Sequence, residues 1–468
     1  MAKISAEENY FSAKKAMSVE TQLSAILKNL EISPELVKTI CEGEIDRDFI
    51  VALNALRQKL NSMKEYEEIE NFKAVEEMKP IYDLARLKAS HRSRDFLLAK
   101  IKEIRNLTLD LNEFQNKELL KYKTLDYFLI ERNPEAAIEV CDTYINTARQ
   151  YYFDNFDLYK NALTRVITGQ LDREIKFGSS GESVVSMLFR TTKNIANPKL
   201  NGIFNQTGAE SSKQNYFSMG TRGLAIHSLE KNQLKAIDIE SSGKQLFIED
   251  VFYQFNLALS ENSKKEYQFI SKFFSVKNNK TSNVEIEMKK MIFMHVFEPI
   301  FTIGKELVSN YILNSFDALG ILMCISSIAK IQTDLHFETV DNYFHSLSML
   351  LWPRFQTLID LHVERLAKLS SDKKVSSFRF NSYPHEVTRQ FADFISSIIK
   401  ISECFDSTVL LAGMGRMRNG MNNLLKKLSI TSKDKEMEKV FLVNNYDQIL
   451  IIFKENEVDG GNPENKNI

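Results

Sequence analysis

A chain of 468 residues with 43% apolar and 26% charged residues is not of the disordered or low-complexity kind, and its length suits about two to four domains. Its 61 basic and 62 acidic residues leave a net charge of −1, so no global field draws in nucleic acid or an anionic membrane. Cys41, Cys141, Cys324 and Cys404 stand far apart with no CxxC spacing, which indicates neither zinc nor a disulfide framework and leads us to expect a reduced, cytosolic chain.

Turn residues are scarce, with 16 glycines and 8 prolines. Long elements and few turns follow, and these favour an all-α fold. The opening stretch "MAKISAEENYFSAKKAM" lacks the apolar core of a secretory signal and is not a myristoylation pattern, and "NPENKNI" is not a prenylation box. Residues 1–110 read as N-terminal coiled-coil assembly helices, strongly helical in pattern from residue 19. Phe49, Leu53, Leu56, Leu60 and Met63 recur at spacings of four, three, four and three, a heptad seam ringed by charges such as Arg57, Lys59, Lys64 and Glu65. The seam lasts about two heptads before its phase slips toward Tyr66, Ile69 and Phe72. One amphipathic helix on a local bundle and a seam for partner helices both fit that spacing. Pro80 suits the first turn of a further helix, with apolar positions at Ile81, Leu84 and Leu87.

Residues 111–168 read as two more helices broken at "ERNPEAA", where Asn133 can cap and Pro134 fits the first helical position. The cluster Tyr144, Tyr151, Tyr152, Phe153, Phe156 and Tyr159 is expected in a core or a subunit interface. A base-stacking platform would need more interleaved basic residues than Arg149 and Lys160. Residues 169–243 hold eight of the sixteen glycines and no lasting helical period, which predicts a long irregular insert. From 244 to 455 the helical pattern returns over 247–274, 284–315, 317–331, 338–370, 384–403, 407–429 and 435–454, as in stacked antiparallel helices. The most apolar run, "ALGILMCISSIA" at 318–329, falls short of the roughly 20 residues that span a bilayer and predicts a buried core helix. Residues 456–468 are polar and expected to be disordered.

No constellation for catalysis emerges, and no catalytic, cofactor or metal residue is assigned. "HEVTR" at 385–389 has Arg389 where a zinc-protease box needs its second histidine. "MGTRG" at 219–223 and the pair Gly304-Lys305 lack the remainder of a phosphate-binding loop. There is no nucleophile elbow and no kinase motif set. Glu–Lys pairs one turn apart are the ordinary dress of solvated helix faces.

Six ordered segments carry a resemblance: "RDFLLAKIKEIR" (94–105), "LLKYKTLDYFL" (119–129), "FSMGTRG" (217–223), "LLWPRF" (350–355), "SYPHEVTRQFADF" (382–394) and "VFLVNNYDQIL" (440–450). Together they resemble the vacuolar protein sorting-associated protein 52 family, subunits of the Golgi-associated retrograde protein complex and of the related endosomal recycling complex. The resemblance implies an elongated rod of N-terminal coiled-coil helices followed by stacked helical bundles. It implies a non-catalytic vesicle tether for retrograde transport from endosomes to the trans-Golgi network, cytosolic and peripheral on those membranes. Three other tethering-complex subunits, SNARE proteins and Rab- or Arl-type small GTPases are the implied partners. A subunit of another helical-rod tether and a helical GTPase regulator are the competing readings. The family usually continues past "NNYD" into a further helical domain, whereas this chain ends about twenty residues later. Its N-terminal coil is also short. A reduced subunit and a truncated gene model both account for these departures.

Trp352, the one tryptophan, stands beside Pro353 inside the fourth of those segments. Proline removes a backbone donor and crowds the preceding turn, so a helix through 353 is expected to bend or restart. The indole then either fills the gap between stacked helices or serves as an exposed partner anchor.

Overall fold

In the computed structural model the described residues are 31–67, 73–106, 108–167, 246–275, 283–335, 337–371, 382–402, 408–432 and 434–456, with single positions among 14–28, at 177, 217–220, 222 and 380. The expected insert 169–243 and the expected tail therefore lie outside the described residues, apart from Phe177, 217–220, Arg222 and Asn456. The described residues form an all-α protein. Among them there is no β-strand, and one parallel backbone bridge joins Ile167 to Leu246.

The chain divides into two compact units, Met1–Asn155 with Lys264–Pro299, and Phe156–Ser263 with Ile300–Ile468. The first contains α1 (Pro34–Glu42), α2 (Arg47–Glu67), α3 (Lys73–Glu103), α4 (Leu111–Lys117), α5 (Lys123–Arg132) and most of α6 (Pro134–Arg165). Three helices, α6, α7 (Ile248–Phe273) and α8 (Asn283–Leu307), contribute residues to both units. Helix starts follow capping chemistry. Ser33 Oγ accepts from Leu36 N at 3.2 Å with Pro34 in the first turn, and Asp46 Oδ1 accepts from Asp48 N at 2.9 Å and Phe49 N at 3.1 Å. Asp110 and Asn133 do the same for α4 and α6. Each cap satisfies amides that the helix itself leaves unpaired.

Helices α1, α3 and α5 pack on α2. Arg92 on α3 closes the other end of α1: its guanidinium donates to the Ile40 carbonyl at 2.9 Å and to the Gly43 carbonyl, and lies 5.2 Å over the Phe49 ring. A cation there meets carbonyls that have no intrahelical partner.

Pro80 does not open a helix. It lies inside α3, on the solvent side, while Val75, Tyr82, Ala85 and Ala89 are buried on the packed side. A packed face that continues past the proline outweighs one lost backbone bond. The apolar register is corrected with it: Ile81, Leu84 and Leu87 are 47%, 68% and 46% exposed, because the face that packs is the one carrying Tyr82, Ala85 and Ala89.

The second unit contains α9 (Ala318–Leu335), α10 (Asp341–Ser371), α11 (Glu386–Ser402), α12 (Thr408–Ser429) and α13 (Lys435–Glu455). Helix α9 is the one described helix long and apolar enough to cross a membrane by length and composition. Every residue from Ala318 to Ile328 is buried, so α9 is the central core helix of this unit, as the apolar run predicts. It packs on α10 and α11, α12 packs on α10, and α13 packs on α11 and α12. A Cβ on Gly413 would meet Ile359 Cγ2 at 3.3 Å, and one on Gly420 would meet Leu366 Cβ at 3.4 Å. Two small residues one heptad apart thus let α12 lie close against α10.

Candidate functional site

Four of the six ordered sequence blocks that carry the family resemblance are points where distant segments are tied together. In "FSMGTRG", Phe217, Met219 and Arg222 are buried in the second unit. Phe217 stacks on Phe177, ring centroids 4.7 Å apart, and meets Phe394 and His362 at 6.1 Å each. The Met219 amide donates to Ser397 Oγ at 2.9 Å. Gly220 turns the chain with φ +51°, a left-handed conformation that glycine adopts without steric cost. Arg222 then reaches two carboxylates. Its Nε and Nη2 donate to Glu249 at 2.9 and 3.1 Å, Nη2 also pairs with Asp317, and the guanidinium lies 4.9 Å from the Phe247 ring.

The electrostatics fit a structural clamp. Burial by itself would lower the Arg222 guanidinium, but Asp317 and Glu249 outweigh it and hold the group firmly charged. Burial raises Glu249 above the ordinary carboxylate range even with Arg222 beside it. Asp317 is fixed in turn by the Gly320 amide at 3.0 Å and donates its own amide to Ser315 Oγ at 3.1 Å. The "LLWPRF" block ends on the same loop, since Arg354 Nη2 donates to the Ser315 carbonyl at 2.9 Å and its guanidinium lies 4.9 Å over Phe316.

Two further blocks meet at Asn445. Its Oδ1 accepts from the His385 amide at 2.8 Å and from Thr388 Oγ1 at 2.6 Å, and its Nδ2 donates to the Phe441 carbonyl at 2.8 Å. So "SYPHEVT" and "VNNYD" are joined by one buried amide. His385, the first residue of the rejected zinc box, uses Nδ1 to accept from Val387 N at 3.2 Å, which makes it a helix cap.

In the first unit Glu266 is fully buried. It accepts from Gln115 Nε2 at 2.7 Å, Tyr144 Oη at 2.5 Å and Tyr152 Oη at 3.0 Å. Burial raises its carboxyl above the ordinary carboxylate range, and the three donors offset only part of that rise. Tyr144, Tyr152, Phe156 and Tyr159 of the aromatic cluster are buried, with Phe153 exposed, so the cluster is mainly core. Among the described residues no set of three His, Cys, Asp or Glu side chains is arranged to hold a metal ion.

The predicted partner seam is buried as well. Phe49, Leu53, Leu56, Leu60 and Met63 all lie inside the first unit, on the helix that α1, α3 and α5 cover. In this chain the seam packs on its own bundle. Trp352 is half-buried and Pro353 exposed within an α10 that runs unbroken from Asp341 to Ser371. The helix does not restart at the proline, and Thr357 Oγ1 donates to the Pro353 carbonyl at 2.9 Å. The indole meets Phe355 edge-on at 6.0 Å. Glu249, Asp317, His362 and Ser397 had no signal in the sequence, because each gains its role from a residue far along the chain.

The described residues thus form an all-α protein in which quoted sequence blocks tie distant segments of the chain together. The sequence relationships place it in a family. A family model described as "Vps52, C-terminal" matches residues 191–467, and one described as "Vps52/Sac2 family, coiled-coil" matches residues 10–129. The chain belongs to the Vps52 family. It is 25% identical over 446 residues to vacuolar protein sorting-associated protein 52 A of Arabidopsis thaliana, covering 94% of this chain and 58% of that one. Against vacuolar protein sorting-associated protein 52 of Schizosaccharomyces pombe it is 26% identical over 447 residues, covering 92% and 80%. Against the Homo sapiens homologue it is 23% identical over 448 residues, covering 94% and 58%. The chain thus spans just under three-fifths of the Arabidopsis and human relatives.

Proposed function

We propose that the chain is a non-catalytic subunit of a multisubunit tether that captures endosome-derived vesicles at the trans-Golgi network. Membership of the Vps52 family carries this reading. Its partners are three other tethering-complex subunits, SNARE proteins and Rab- or Arl-type small GTPases. It is cytosolic and reaches trans-Golgi and endosomal membranes through those partners. The related endosomal recycling complex is a second assembly for the same chain.

A tether needs faces for other helices. With Phe49, Leu53, Leu56, Leu60 and Met63 covered by the chain's own helices, partner helices pack instead on the exposed stripe Ile81, Leu84 and Leu87 of α3. That stripe lies within the part matched by the coiled-coil model. Burying it on assembly would supply the apolar area that short helices in water need for stability.

Native affinity purification of the tagged chain from its own cells, followed by mass spectrometry, tests the proposal. Three stoichiometric coiled-coil subunits are expected. Subunits of a different tether, or a lone chain that accelerates GTP hydrolysis on a small GTPase, would replace this reading with another.

A further inference from the structure

Phe217, Met219 and Arg222 engage the second unit as a docked peptide engages a receptor. An aromatic side chain fills an apolar pocket, a main-chain amide pairs with a hydroxyl, and a cation meets fixed carboxylates. The pocket is made by Phe177, His362 and Phe394. The hydroxyl is Ser397, and the carboxylates are Glu249 and Asp317. We propose that these residues form a peptide-recognition groove in the second unit, and that Phe217, Met219 and Arg222 of the same chain fill it as its ligand.

Three observations set this apart from ordinary core packing. Glu249 and Asp317 are two buried carboxylates around one guanidinium. With the arginine withdrawn they would be two buried carboxyls with no counter-charge, able to avoid burying charge only by taking up a proton, so the groove is built to receive a cation. Next, a Cβ on Gly320 would lie 2.9 Å from Asp317 Oδ2 and 3.1 Å from Arg222 Nη2, so the wall is left bare where the arginine enters. Finally, Gly220, between the two anchors, has nothing within 4 Å of where its Cβ would stand. The segment is held at Phe217, Met219 and Arg222 with Gly220 open to solvent between the last two, which is the pattern of anchor residues along a bound peptide. The groove fits an aromatic residue, a residue two positions on that offers its amide, and an arginine three positions beyond that.

The test replaces residues 217–222 of the full chain with a Gly/Ser linker of equal length and adds a synthetic peptide, NYFSMGTRGL. The linker variant is expected to melt several degrees lower. The labelled peptide should bind it saturably and restore the melting temperature, while the intact chain, its groove filled, should not bind. Peptides carrying F217A or R222A should bind at least tenfold more weakly. An unchanged melting temperature, or a folded variant that ignores the peptide, would overturn the proposal. If the linker variant does not fold, protease sites placed on either side of the segment allow it to be cut in the folded chain. The excised peptide should then exchange for labelled peptide without unfolding. Exchange that occurs only on unfolding overturns the proposal too. A wild-type dimer that becomes a monomer in the linker variant would assign the ligand to a second copy, and would overturn filling within one chain.

Discussion

His362 lies among Phe177, Phe217 and Phe394, at 5.0, 6.1 and 5.0 Å, and burial pushes its imidazole down from 6.5 to about 4. Between those values the unfolded chain binds a proton that the folded chain refuses. Its contribution is therefore complete above pH 6.5 and lost as the pH falls toward 4. The gap corresponds to ~3 kcal/mol. His362→Phe should flatten the dependence of unfolding free energy on pH over that window, read from urea titrations at several pH values. A slope identical to the wild type would mean that the imidazole titrates normally in the folded chain. Asp126 acts with the opposite sign. Burial raises its carboxyl from 3.8 to about 7, and Oδ2 makes no hydrogen bond. The folded chain keeps this proton where the unfolded chain has released it, so its contribution is best below pH 3.8 and is lost as the pH rises to 7. Asp126→Asn should stabilise the chain at pH 8 by up to ~4 kcal/mol and change little at pH 4. Destabilisation at pH 8 would show that the ionised carboxylate has a partner. Neither residue could be singled out in the sequence. Arg222 was visible only as part of a glycine-rich stretch, because its partners stand 27 and 95 positions away. Periodicity reports which face of an element is apolar and carries no record of which distant polar group will meet it.

Helices were the most legible layer. The segments read as 247–274, 407–429 and 435–454 are the helices Ile248–Phe273, Thr408–Ser429 and Lys435–Glu455, since long amphipathic runs with short polar breaks admit few alternatives. Pro80, expected to open a helix, lies inside one, and α10 does not restart at Pro353. Both are exposed, and on the solvent side a proline loses one backbone bond without disturbing the packed face. Pro353→Ala should therefore raise stability by about 1–3 kcal/mol, the difference in helix-interior preference between the two residues. A lower melting temperature would mean that packing on α10 depends on the backbone shape the proline imposes. Close approach was equally hidden. A Cβ on Gly304 would fall 2.0 Å from Tyr343 Oη, and that hydroxyl donates to Asn256 Oδ1 at 2.8 Å in the core. Gly304→Ala should cost about 1–3 kcal/mol through overpacking. Adding Tyr343→Phe, which removes the obstructing oxygen, should recover part of the loss. Strict additivity of the two changes would place the strain elsewhere.

At the scale of the whole molecule, the two units are interleaved in sequence, and that was not legible. Boundaries at 110, 168 and 243 follow changes in composition, whereas α6, α7 and α8 each supply residues to both units without any such change. The same interleaving bears on assembly. A seam read from spacing alone serves equally for a partner or for the chain's own bundle, and the decision belongs to whatever else the chain brings to that face. Here α1, α3 and α5 reach α2 first. Leu56, fully buried, would as glutamate place an unpaired charge in the interior, which is strongly unfavourable. Leu56→Glu should lower the melting temperature of the isolated chain by many degrees, and partners would be lost with the fold. Leu84 is mostly exposed on α3, so Leu84→Glu should leave the isolated chain within about 0.5 kcal/mol of the wild type, as surface substitutions usually do. On the proposed assembly face that same charge would be buried by the partner helix. Leu84→Glu should then abolish co-purification of the other subunits from cells while the purified chain melts normally. Measuring melting and co-purification on both variants separates the possibilities. Full recovery of partners by Leu84→Glu would remove the α3 stripe as the assembly face, and a stable Leu56→Glu chain that has lost only its partners would return that role to the seam on α2.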